Sequence, residues 1–132
     1  KGDFKALIVN VEYKPTSKYD QAGLMIRVDS DNWIKASIEK ETPTNRLGSV
    51  VTRDGYSDWA TAPYSSGSID IWFKLERVGK SFRIFWANTP EGTKDKPFDK
   101  YNEEPQWEEM RTCHLNAPET IQAGLYACSP TE

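Results

Sequence analysis

The chain has 132 residues, of which 37% are hydrophobic and 12% aromatic, with a net charge of −3. That is enough apolar material for one core and too much for disorder throughout. No apolar run approaches the ~20 residues that cross a bilayer. Nor does Lys or Arg cluster into the basic stripe that neutralises phosphates or the basic amphipathic helix that lies on a membrane, so the reading excludes nucleic acid and membrane as partners.

Taken in chain order, the dominant period is two. Leu7, Val9 and Val11 alternate with Ile8, Asn10 and Glu12, predicting a first strand that ends near Tyr13. Ala22, Leu24, Ile26 and Val28 alternate with Gln21, Gly23, Met25 and Arg27. After the turn Asp29-Ser30-Asp31-Asn32, Ile34, Ala36 and Ile38 alternate with Trp33, Lys35, Ser37 and Glu39. The two segments read as a hairpin with one buried and one polar face. A strand over Leu47 to Arg53 follows. Asp54-Gly55 then forms a turn, because Gly accepts positive φ at no steric cost. Tyr56 to Thr61 is a short strand or loop carrying Trp59. Ile69, Ile71, Phe73 and Leu75 form one side of the next strand, and Gly79-Lys80 turns it back onto Phe82, Ile84 and Trp86. From Asn88 to about Gln106 the pattern fails, and a structureless loop of that length is functional or mobile. Strands over Trp107 to Thr112 and Gln122 to Ala127 complete the chain. Short strands separated by turn signals, with no helical period, predict an all-β antiparallel sandwich formed as a single domain over 1–132.

Cys113 and Cys128 with His114 do not make the four-ligand spacing of a zinc site, so no metal and no cofactor is expected. The two cysteines read as partly buried thiols of a reducing, cytoplasmic compartment. Asp29-Ser30-Asp31-Asn32 lacks the Gly and the distal Glu of a calcium loop and reads as a hairpin turn. The chain opens on Lys1-Gly2-Asp3 and stops at Ser129-Pro130-Thr131-Glu132 beside strand patterns, so both ends read as cut. Oligomeric state is left open.

The candidate site is polar and aromatic. With Leu24, Ile26, Ile34, Ala36 and Ile38 in the core, Gln21, Arg27, Trp33, Lys35 and Glu39 share the opposite face. Arg53, Asp58 and Trp59 follow on the next strand and turn. Such a face can stack a sugar ring and hydrogen-bond its hydroxyls. The alternative is a set of cross-strand pairs, Arg53 with Asp58 and Lys35 with Glu39, that need no ligand.

Four stretches carry a resemblance. They are Tyr19 to Arg27, Asn32 to Ala36 with Ile38-Glu39, Val51 to Trp59, and Ala123 to Pro130. In that order they resemble a domain-of-unknown-function family of concanavalin A-like sandwiches, whose fungal members are named regulation of enolase proteins. The resemblance implies a concanavalin A-like jelly roll and a non-catalytic regulatory or binding role in enolase regulation and carbohydrate metabolism, with a protein or a carbohydrate as partner. Family domains usually extend further at both ends, and the loop from Asn88 looks inserted. A glycoside hydrolase of this architecture needs two carboxylates facing the scissile bond. The Glu-x-Asp-x-Glu run that supplies them is missing, so the chain is not expected to be an enzyme of this kind. A lectin-like carbohydrate-binding module is the alternative reading.

Overall fold

The computed structural model describes residues 5–64, 69–90 and 105–131. Nine strands run in order: β1 Ala6–Tyr13, β2 Gln21–Arg27, β3 Trp33–Glu39, β4 Asn45–Arg53, β5 Tyr56–Tyr64, β6 Ile69–Val78, β7 Ser81–Asn88, β8 Glu108–His114 and β9 Gln122–Cys128. They form two antiparallel sheets, one of four strands in the order β1-β6-β7-β8 and one of five in the order β5-β4-β3-β2-β9. The all-β antiparallel sandwich read from the alternation is the architecture observed.

The period-two pattern explains the layers. Leu24, Ile26, Ile34, Ile38 and Val51 project from the five-stranded sheet onto Phe73, Leu75, Phe82 and Ile84 of the four-stranded sheet, and all nine are 0% exposed. Burying each such side chain contributes about 2 kcal/mol. Tyr13 ties the layers at one end, its hydroxyl lying 3.1 Å from the carbonyl oxygens of both Asp20 and Ile38. Burial pushes that phenol well above its ordinary pKa, so it stays a donor.

The turns follow their residues. Asp54 and Gly55 both adopt positive φ, 50° and 82°, the two-residue hairpin geometry whose twist matches that of the strands it joins. In the 29–32 turn the Asp29 carboxylate accepts from the Asp31 amide at 2.8 Å and the Asn32 side chain at 3.1 Å, a turn device as the sequence reading had it. Arg77 pins the β8–β9 connection by donating to the carbonyls of Pro118 at 2.7 Å and Glu119 at 3.1 Å.

Two strand assignments change. Tyr56 begins a full nine-residue strand, paired along its whole length from Arg53↔Tyr56 to Asn45↔Tyr64. Its residues look loop-like because only one edge of the strand is bonded and little covers it. Trp107 precedes β8 rather than opening it, and its ring packs on the Lys74 ammonium, 4.8 Å from the centroid. Most of the predicted 88–106 loop lies outside the described residues. Cys113 and Cys128 are free, half-buried thiols.

The five-stranded sheet is wider than its partner. Leu125 on β9 lies on the core-facing side yet is 80% exposed, and Tyr56 on β5 is likewise 83% exposed. The fully covered core residues of this sheet lie on β2, β3 and β4, so the middle of its outer face is backed by the core.

Candidate functional site

Strand pairing sets the outer face of the five-stranded sheet residue by residue. A row of small side chains crosses its middle, because Gly23 pairs with Ser37 and Ser37 with Gly48. Tyr126 flanks this row on β9 and Thr61 on β5. One neighbouring row holds Gln21, Glu39 and Arg46, and the row on the other side holds Lys35 and Trp59 with Val50 between them. The floor is low where the side chains are small, and longer side chains reach over it from both sides.

Gln21 organises one half. Its amide nitrogen donates to the Tyr19 carbonyl at 3.2 Å, which turns Oε1 inward. The Lys35 ammonium donates to that oxygen across the Gly23–Ser37 floor, and the Tyr126 hydroxyl donates to it at 3.1 Å. Lys35 Nζ also lies 4.9 Å from the centre of the Tyr126 ring. Burial pushes the Lys35 pKa down and the Glu39 pKa up, each opposed by the charge of the other. Burial and the neighbouring Cys128 and Glu39 push the Tyr126 phenol up to about 12, so it remains a donor.

Trp59 makes the other half. A side chain at position 48 would place its Cβ 3.0 Å from the indole Nε1, so the ring occupies the space that Gly48 leaves empty. The indole is nonetheless 58% exposed. An aromatic ring seated on the sheet with a free surface, beside an amide, an ammonium, a carboxylate and a phenol, is equipped to stack one part of a ligand and hydrogen-bond another.

The predicted site residues separate into three groups. Gln21, Lys35, Glu39 and Trp59 share this face. Arg27 and Trp33 lie on it too, but at its far end, where Arg27 donates to Gln122 at 3.5 Å and the Trp33 indole donates to the Ser30 carbonyl at 3.2 Å. Arg53 and Asp58 do not belong to it. Arg53 is two residues beyond Val51, and Asp58 pairs with Val51, so both project to the core-facing side. They stay in solvent because the narrower sheet ends before them, and they bond each other at 2.7 Å. Tyr126, Ser37, Gly23 and Gly48 complete the site and were not singled out from the sequence. Tyr126 could be placed only by knowing that β9 pairs with β2.

Elsewhere, a cavity of about 620 Å³ opens beside the end of β7, lined by Trp86, Asn88, Thr89, Gln106 and Glu108 among others. It borders residues outside the described set. Among the described residues no group of three or more His, Cys, Asp or Glu side chains is placed to hold a metal ion.

The sequence pattern of the family described as "Protein of unknown function (DUF1349)" matches residues 1–132, the whole chain. The chain belongs to the DUF1349 family. Among curated proteins this DUF1349 chain is similar to "Regulation of enolase protein 1" of Saccharomyces cerevisiae, 43% identical over 67 residues that make up 51% of this chain and 33% of that protein. A solved structure of a functionally unknown Saccharomyces cerevisiae protein matches with a TM-score of 0.74 and 30% identity over 96% of this chain and 60% of the other. The chain therefore spans a third of that curated relative's length. A GH43 protein of Bacillus licheniformis matches with a TM-score of 0.69 at 14% identity, over 96% of this chain and 24% of that one. At that identity the likeness is one of fold.

Proposed function

We propose that this DUF1349 chain is a non-catalytic binding module with a regulatory role in enolase-linked carbohydrate metabolism, and that it engages its ligand through the outer face of the five-stranded sheet. One observation carries the reading: a Trp59 ring seated on Gly48 with most of its surface free, next to the Lys35–Gln21–Tyr126 network and Glu39. An exposed indole with hydrogen-bonding groups beside it offers a ligand an apolar stack and polar contacts together. The regulatory part rests on the similarity to a protein named for regulation of enolase. The non-catalytic part is supported by the composition of the face. Within its described strand segments Glu39 is the one carboxylate, whereas hydrolysis of a glycosidic bond uses two. Two free thiols fit a cytoplasmic setting.

The test compares cells that lack the gene, carry the wild type, or carry Trp59→Ala/Gln21→Ala at matched protein levels, with enolase activity in extracts as readout. The double variant is expected to behave as the deletion does. Activity unchanged by the deletion itself would remove the regulatory reading, and a double variant equal to wild type would remove the site.

A further inference from the structure

We infer that the ligand of this face is a neutral oligosaccharide of at least two rings, one stacked on Trp59 and the next hydrogen-bonded by Lys35 and Glu39, with the buried Gln21 positioning Lys35 from beneath; the inference rests on the outer face being the binding site.

The chemistry of the face selects among ligand classes. An apolar ligand would cover Lys35 and Glu39 without replacing the hydrogen bonds they make to water, and each buried, unpaired polar group opposes binding. An anion would meet Lys35 and Arg46, but also the Glu39 carboxylate, which lies on the strand of Lys35 and directly across from Arg46. A neutral ligand avoids both difficulties, provided that it offers donors and acceptors side by side. Lys35 only donates and Glu39 only accepts when charged, whereas each hydroxyl of a vicinal diol does both. A diol can therefore accept from Lys35 and donate to Glu39 at once, and it leaves the mutual balance of the two charges intact.

Trp59 supplies the complementary feature. The Nε1–Cδ1 edge of its indole lies over Gly48, and the 58% exposure of the residue leaves apolar ring surface that suits the C–H face of a pyranose. The stack and the hydrogen bonds are not at one point. From Gly48 on β4 to Gln21 on β2 is two strand spacings, about 10 Å. A ring stacked on Trp59 cannot also reach the Lys35 ammonium held against Gln21, so a single sugar uses half the site and a chain lying across the strands uses all of it. Ser37 lies between the two halves and, at 2% exposed, is already covered by the longer side chains around it, so the connection passes above those side chains.

The experiment is an NMR titration of the 15N-labelled chain with neutral linear gluco-, xylo- and manno-oligosaccharides, and with glucose alone. At least one oligosaccharide is expected to move the Trp59 indole N–H and the Gln21 side-chain amide signals together and saturably, with glucose at least about tenfold weaker. Trp59→Ala should weaken binding about tenfold or more, while Trp59→Tyr, which keeps a ring, stays within about threefold. Thermal unfolding of each variant separates lost binding from lost structure. If no oligosaccharide moves these signals, or if Trp59→Ala leaves the affinity unchanged, the inference is overturned. Should sugars fail while the Trp59→Ala/Gln21→Ala cells still lose enolase regulation, the face binds something else and only the ligand assignment falls. Failure of both removes the site as well.

Discussion

The two outer faces of the sandwich carry similar residues and use them in opposite ways. On the four-stranded sheet Lys74 lies 4.6 Å from the Phe85 ring centre, 4.8 Å from that of Trp107 and 3.1 Å from the Glu76 carboxylate, and it is 9% exposed. Arg83 beside it bonds Glu109 at 2.7 Å and approaches Glu76 at 3.9 Å. On the five-stranded sheet Lys35 is held by a neutral amide and one ring, and neither it nor Glu39 forms a salt bridge among the described residues. Where each charge meets its opposite under an aromatic roof, the lysine serves stability. Where neutral groups position the charges and the aromatic stays uncovered, the same residue types remain available to a ligand.

Mutation can break this comparison, and the largest effect belongs to the floor. Gly23→Ala would place a Cβ 1.9 Å from the Ala36 carbonyl oxygen and 2.7 Å from the Ser37 Cα, both backbone. A loss of about 3 kcal/mol in urea unfolding is expected; a loss under half of that would mean that β2 and β3 can part at little cost. On the closed face, Lys74→Ala removes a buried stem, two ring contacts and an ion pair, and should destabilise by about 2 kcal/mol. Lys35→Met on the open face should change stability by less than about 0.5 kcal/mol, because the lysine's desolvation opposes its contacts. Equal losses at the two lysines would erase the contrast.

The contrast extends to pH. Hydrogen bonds from Arg83 and Thr112 hold the Glu109 carboxyl down to about 2, below its unfolded value. Its contribution is therefore complete above the ordinary carboxylate range and is lost as pH falls through that range toward 2. Melting temperatures measured from pH 7 to pH 2 should fall less steeply in Glu109→Gln than in wild type, whereas Lys35→Met should leave the acid limb unchanged. The smallest effect is that of Trp59→Ala, within about 0.5 kcal/mol of wild type in the same unfolding assay, since more than half of the ring is already in water. A larger loss would show that the indole serves the fold.

Much of the architecture is legible because alternation survives in almost every strand. Leu24, Ile26, Ile34, Ala36 and Ile38 declare the core, and Gln21, Lys35 and Glu39 the outer face, by parity alone. Parity was also the information that Arg53 needed, since it shares the side of Val51. Its exposure comes instead from the width of the opposite sheet, a tertiary property with no local signature. Trp59 could be read as an exposed aromatic, but its seat on Gly48 follows from the register of β4 against β5. Tyr126 was out of reach for a similar reason. Nothing near residue 126 says that β9 lies beside β2.

That pairing of Tyr126 with Gln21 spans 105 positions. Contacts so distant along the chain form late, after the cost of closing the long loop between them has been met. A ribosome will have made the aromatic platform and the ammonium of this face long before it makes the phenol that orients them. The binding surface is thus completed only when β9, made after the other four strands of its sheet, settles beside β2, and a chain clipped before Gln122 lacks the phenol of the site.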